Sequence, residues 1–168
     1  MMKSESNERD LRLKRVVAQS ADLGMVRKIV ETTINAIYPL YYPCDVVRFF
    51  LDHHTPDRIL VDIVASCVYL FEDDSVAVGT GTVHGNEITR VFVLPEYQGK
   101  GYGSTIMRQL EDIVFRTHPV VKLDSSLPAF GMYLKRGYKL RAWQRLTTPR
   151  GQVLCYHQME KEKSDGPG

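Results

Sequence analysis

Val91-Phe92-Val93-Leu94-Pro95-Glu96-Tyr97-Gln98-Gly99-Lys100-Gly101-Tyr102-Gly103-Ser104 leads an apolar strand through three glycines into a helix. Glycines let consecutive backbone N–H groups converge on a phosphate without Cβ obstruction, and the following helix N-terminus adds a partial positive charge of roughly half an electron. The segment therefore reads as an anion site, and a pyrophosphate fits it. No Gly-x-x-x-x-Gly-Lys-Ser/Thr is present, and the loop lacks the third glycine position of the dinucleotide Gly-x-Gly-x-x-Gly, which weakens both of those readings.

Upstream of the loop, Cys67–Phe71, Val76–Val83 and Glu87–Val93 read as strands linked by Asp73-Asp74 and Gly85-Asn86. Both links are turn chemistry, so the three strands are expected to form an antiparallel meander. Before them, Leu11–Gln19 resembles an edge strand. Ser20 offers a hydroxyl to cap a helix carrying Leu23, Val26, Ile29, Val30, Ile34 and Ile37, which Pro39 stops. Pro43–His54 and Ile59–Val64 read as two helices or one broken one. Downstream, the stripe Ile106, Met107, Leu110, Ile113 and Val114 predicts an amphipathic helix over Ser104–Arg116. Val120–Leu123 is a short strand. Ser126 caps a helix over Pro128–Arg136, which ends at Gly137. Tyr138–Leu146 and Gln152–Gln158 form a final hairpin around Pro149-Arg150-Gly151.

The chain has 168 residues and 43% hydrophobic content, enough for one compact domain with a core. A single domain is expected over residues 11–160, with a disordered segment at 1–10 and a disordered tail at 161–168. Lys and Arg number 22 against 20 Asp and Glu, a formal charge of +2, so no global field points to nucleic acid or an anionic membrane. Cys44, Cys67 and Cys155 fit neither a disulfide framework nor a paired metal-ligand spacing and read as reduced thiols of a cytoplasmic protein. No apolar run reaches membrane-spanning length. His53 and His54, with His84, make no i, i+4 pair, and no metal site is expected.

Gln98-x-x-Gly101-x-Gly103, preceded by an apolar strand and Pro95, resembles the acetyl-CoA motif of the GNAT acyltransferases. Ala129-Phe130-Gly131-Met132-Tyr133-Leu134-Lys135-Arg136-Gly137-Tyr138 is similar to that family's later segment, which has Ala, Tyr, Lys, Gly and an aromatic at these spacings. The resemblance is strong over roughly Ala65–Leu146 and weak over the helices before it. It implies an α/β (α+β) GNAT fold: a mixed, mostly antiparallel, splayed sheet flanked by helices, with acetyl-CoA as cosubstrate. The pantetheine arm would lie between the strands at Val91 and Val120, bonding the backbone of Val91, Phe92 and Val93. The pyrophosphate would sit on Gln98, Gly99, Lys100, Gly101, Tyr102, Gly103 and Ser104, although Lys100 also reads as simply solvated. Ser126 stands where family members often carry Asn at a cofactor contact.

The implied reaction is acetyl transfer to a primary amine by direct attack in a ternary complex. Aminolysis of a thioester needs a neutral amine, a stabilised oxyanion and a proton for the departing thiolate. Tyr133 matches the family's usual acid, against a reading in which it only packs its ring. Glu87, eleven residues before Gln98, is the base candidate, against an ordinary solvated glutamate beside a turn. Tyr38, Tyr41 and Tyr42 lie where the resembled fold covers the acceptor, against plain aromatic packing. A catalytically silent acyl-CoA-binding module is the rival reading, and Tyr133 argues for the enzyme. A nucleotide-binding protein is disfavoured, because a Rossmann loop follows a first parallel strand rather than a meander. A homodimer through the last hairpin is a further expectation, and the acceptor itself is not legible.

Overall fold

A computed structural model describes residues 12–164. The expectations for residues 1–10 and for the end of the tail fall outside them. Seven strands form one sheet: β1 Lys14–Val17, β2 Val68–Asp73, β3 Val76–His84, β4 Glu87–Val93, β5 Val120–Ser125, β6 Lys139–Thr147 and β7 Val153–Glu162. Their spatial order is β1-β2-β3-β4-β5-β7-β6. β2 to β4 are the expected antiparallel meander, β1 pairs antiparallel with β2 at the edge, and β5, β7 and β6 form a second antiparallel group.

The two groups meet only through β4 and β5, which are parallel. Their single registered pair is Glu87 opposite Lys122, beside a Lys122 N–H to Asn86 carbonyl bond of 2.9 Å. Beyond that pair the strands part, and the sheet is a V that opens toward Val93. Inside β4 a bulge sets Arg90 and Val91 against Gly81, with Arg90 at φ 50°. Such a bulge bends its strand and re-aims its backbone.

Helices cover both faces. α1 Leu23–Ile37, α2 Cys44–His53 and α3 Pro56–Val64 lie on one, so the segment after Pro43 is two helices. α1 buries Val26, Ile29, Val30, Thr33 and Ile34, a helical stripe, against Val68, Leu70 and Phe92 of the sheet. Ser20 does not cap it: a 3₁₀ turn over Ser20–Asp22 precedes α1, and Asp22 Oδ2 accepts the Gln19 N–H at 2.8 Å instead. Pro39 sits in the 3₁₀ turn Tyr38–Leu40 that ends the helix.

α4 Tyr102–Phe115 covers the other face, with Ile106, Met107 and Leu110 fully buried. It packs close because β3 offers glycine there: a Cβ at Gly81 would lie 2.5 Å from Leu110 Cδ1. α5 Leu127–Lys135 follows β5 and ends at Gly137, whose φ of 88° is the left-handed conformation read from the sequence.

β7 is longer than its sequence reading. It runs through Lys161 and Glu162, which were assigned to the disordered tail, because β5 supplies a partner: Val121 pairs with Lys161 and Val120 with Glu162. The Lys161 side chain is anchored as well, 3.0 Å from the buried carboxylate of Glu111.

Candidate active site

The glycine loop borders the open end of the V, between β4 and α4. Gly99 and Gly101 take φ of 73° and 91°, and Gly101 is the residue before the first turn of α4. That first turn carries no acidic residue, so its free N–H groups could take an anion without a competing carboxylate. On the same end, the Val93 carbonyl has no partner on β5. It accepts Gln98 Nε2 at 2.8 Å, and the Thr33 hydroxyl lies 3.2 Å from it. Gln98 is therefore a brace that ties the loop to the end of β4.

Two cavities share this opening. One of about 300 Å³ is lined by Val91–Val93, by Gln98, Gly99, Gly101, Gly103 and Ser104 of the loop, and by α5. The other, about 350 Å³, lies toward the start of β4 between Glu87, Asp124, His54 and a wall that includes Phe49 and Phe50. Tyr38, Val91, Phe92, Ser126, Ala129 and Tyr133 line both. A thioester held in the first cavity and a nucleophile in the second would meet at those six residues.

Tyr133 is buried at 6% exposure, and its ring stands 5.4 Å from that of Tyr138. Burial pushes its phenol well above the usual tyrosine range, Tyr38 adds to the rise and Arg136 opposes it. It is a neutral phenol with a proton to give. Its helix is tied to the glycine-loop helix through Arg136, which bonds the Glu111 carboxylate at 2.8 Å and the Ser104 carbonyl at 3.1 Å. Tyr138 donates to the same carboxylate at 3.0 Å. A buried charge held by three donors is costly to break, so the C-terminal end of α5 is tied to α4.

Other residues fall differently from their sequence reading. The Tyr102 side chain turns away from both cavities into the core, where its hydroxyl donates to Asp73; only its backbone belongs to the loop. Lys100 is exposed and lines neither cavity; its ammonium donates to the Glu96 carbonyl at 2.9 Å over the Tyr97 ring. Ser126 lines both cavities and sits at the N-cap of α5, yet its side chain makes no capping bond. Among the tyrosines, Tyr38 faces both cavities, Tyr41 is half exposed and lines neither, and Tyr42 is buried against α5. Glu87 lines the second cavity but is exposed. With a rise of about 3.3 Å per residue it lies roughly 13 Å along the strand from Val91.

Four residues were missed. Thr33 packs α1 against the Val93 carbonyl at 3.2 Å, its hydroxyl donating to the Ile29 carbonyl at 2.7 Å. Asp124, two residues past Lys122, faces the second cavity nearer the junction; burial raises its carboxyl and the neighbouring Glu87 raises it further. His54 lines the same cavity, and burial first, with Arg90 beside it, drives its imidazole down to about 3. Arg90 donates to His54 Nδ1 at 3.3 Å while an Asp62 carboxylate holds its guanidinium at 2.7 Å. No local sequence signal marks them, since each partner comes from a distant element. Among the described residues no group of three His, Cys, Asp or Glu gathers as a metal site, and no helix is long and apolar enough to cross a membrane.

The family model for the acetyltransferase (GNAT) family matches residues 34–138. The chain belongs to the GNAT family. Its fold is shared with a GCN5-related N-acetyltransferase from Rhodopseudomonas palustris at a TM-score of 0.78 and 19% identity, over 90% of this chain and 94% of that one. PaiA N-acetyltransferase of Thermoplasma acidophilum, solved with coenzyme A, matches at 0.72 and 19%, over 90% and 99%. YncA of Salmonella typhimurium, solved with its cofactor acetyl-CoA, matches at 0.67 and 16%, over 93% and 96%. No curated protein matches the sequence. This GNAT chain is thus an acetyltransferase by family.

Proposed function

We propose that the chain transfers the acetyl group of acetyl-CoA to a primary amine by direct attack in a ternary complex. The observation that carries the reading is the meeting of the two cavities at Tyr133, beside a stretch of β4 that β5 does not pair. The first cavity takes pantetheine along Val91–Val93, and the loop from Gln98 to Ser104 takes the pyrophosphate through its backbone. The CoA and acetyl-CoA held by PaiA and YncA agree with this.

The amine nitrogen attacks the thioester carbon, and the carbonyl oxygen becomes an oxyanion held by a β4 N–H. As the C–S bond breaks, the thiolate takes the Tyr133 proton, the nitrogen's excess proton leaves through the second cavity, and water returns a proton to Tyr133. Glu87 is too far from Val91 to take the nitrogen's proton directly, so water carries it, with Asp124 standing between the two. Tyr38 lies against the acceptor.

The free thiols of Cys44, Cys67 and Cys155 agree with a reducing, cytoplasmic setting. A homodimer through the last hairpin would use β6, an edge strand with Leu140 and Trp143 exposed, and sedimentation velocity tests it. The acetyl-transfer reading is tested by a panel of small amines, amino acids and peptides, with CoA release as the readout. Release with primary amines and none with hydroxyl analogues is expected; release with hydroxyl analogues alone overturns it.

A further inference from the structure

The open end of the V lacks a β ladder; Arg136 ties the C-terminal end of α5 to α4, and the N-terminal end of α5 needs a tie of its own. The segment from Thr33 to Tyr42 touches both arms of the V. At one end the Thr33 hydroxyl, which donates to the Ile29 carbonyl at 2.7 Å, packs 3.2 Å from the Val93 carbonyl at the tip of β4. At the other, the Tyr42 hydroxyl accepts the Leu127 N–H at 2.7 Å, at the first residue of α5. The segment between is the last turn of α1 followed by a 3₁₀ turn, closed by Tyr42 N–H on the Tyr38 carbonyl at 2.9 Å. The Tyr42 ring is wedged between Tyr38 and Phe50, with centroids at 5.5 and 5.2 Å.

The bond at α5 fills a gap that the helix does not fill itself. Ser126 makes no side-chain cap, Pro128 has no N–H, and the Ala129 N–H closes on the Ser126 carbonyl at 3.3 Å. Leu127 is left as a donor that needs an outside acceptor. Tyr42 supplies it from 85 residues away.

We propose that Thr33–Tyr42 is a strut across the mouth of the cleft and that Tyr42 is a positioning residue, holding α5, and with it Tyr133, at its working distance from β4. The inference rests on the acetyl-transfer reading for its kinetic consequence only. The glycine loop lies wholly on the β4–α4 arm, so the pyrophosphate contacts do not depend on the strut, whereas the cavity wall on α5 does.

The bond can be broken from either side. Tyr42→Phe removes the acceptor and keeps the ring. Leu127→Pro removes the donor and leaves the tyrosine, at a first helical position that suits proline, after a Ser126 whose φ of −71° and ψ of 162° proline accepts. Each variant is expected to lower kcat roughly tenfold, the worth of one hydrogen bond of about 1.4 kcal/mol, and to weaken acetyl-CoA by less than that, since the pyrophosphate contacts stay. The double variant should lose no more than either alone. Amide hydrogen exchange across residues 127–135 should quicken in both. A kcat loss in Tyr42→Phe but not in Leu127→Pro would mean that the phenol acts on the acceptor instead, and the strut would be overturned. Normal kcat in both would also overturn it, as would unchanged exchange in α5. Should no amine be turned over by the parent, the acetyl-transfer reading fails, while exchange in Tyr42→Phe still decides whether Tyr42 holds α5.

Discussion

Tyr133 and His54 show how burial sets opposite chemistry on two sides of one site. Burial holds the Tyr133 phenol neutral and makes it a weaker acid, so its proton would move only to a thiolate developing against it, an interaction of the transition state alone. Tyr133→Phe keeps the ring against Tyr138 and removes only the proton. Steady-state kinetics should show kcat down by roughly 10² to 10⁴, with the separately measured acetyl-CoA Kd almost unmoved. Turnover within about threefold of the parent would leave Tyr133 as packing only, worth on the order of 1 kcal/mol of stability. His54 is depressed instead, from 6.5 to about 3, so between those values the unfolded chain binds a proton that the folded chain does not. Stability therefore rises with pH across that window and is lost on acidification. From neutral pH down to pH 5 the loss from this one group reaches roughly 2 kcal/mol. His54→Asn, whose amide oxygen still accepts from Arg90, should flatten urea-unfolding stability over pH 5–7; an unchanged slope would show that His54 does not titrate as its burial demands.

At the scale of elements, the glycine loop is where local sequence and function coincide. Gly101, at φ 91°, forms the turn into α4 in a conformation that side chains beyond Cβ resist, and a branched one most. Gly101→Val should abolish stabilisation by acetyl-CoA while circular dichroism stays native, at a cost of about 1–2 kcal/mol in intrinsic stability. Retained cofactor affinity in a folded variant would put the pyrophosphate elsewhere. The loop, the meander before it and the helix stripes were legible because each is written in contiguous residues: turn pairs, a 3.6-residue period, glycines at fixed offsets. What was not legible comes from contacts across the chain. Gln98 reads as part of a phosphate motif, and its side chain in fact braces the Val93 carbonyl. Ser126 reads as a helix cap, yet the tyrosine at 42 bonds Leu127 instead. Tyr102 reads as loop, but its ring belongs to the core. The polar run at Lys161 reads as tail, and β5 makes it a strand. Asp124 carries no motif at all; it matters because a parallel pairing sets it near Glu87.

Over the whole molecule, the sheet is two antiparallel groups joined by one parallel pair, and the same gap that divides it is where the proposed cofactor would lie. Acetyl-CoA would fill both halves of that gap at once, the pyrophosphate on the β4–α4 arm and the pantetheine between the arms. A ligand of this kind binds only the folded chain, so it stabilises by mass action, about 2.7 kcal/mol at a hundredfold excess over Kd. For a domain of this size each kcal/mol is worth about 2–4 °C, so the Tm should rise by roughly 5–10 °C in a thermal melt. ATP shares the phosphates and the adenine but has nothing to place between β4 and β5, and NAD has a second nucleoside where pantetheine should go. Each should shift the melt by much less at the same concentration. Desulfo-CoA separates the two contributions further: it keeps the pyrophosphate and most of the arm, so it should give nearly the full shift while supporting no transfer. An ATP shift equal to that of acetyl-CoA would mean that the loop alone carries the affinity, and the opening of the V would then need another occupant.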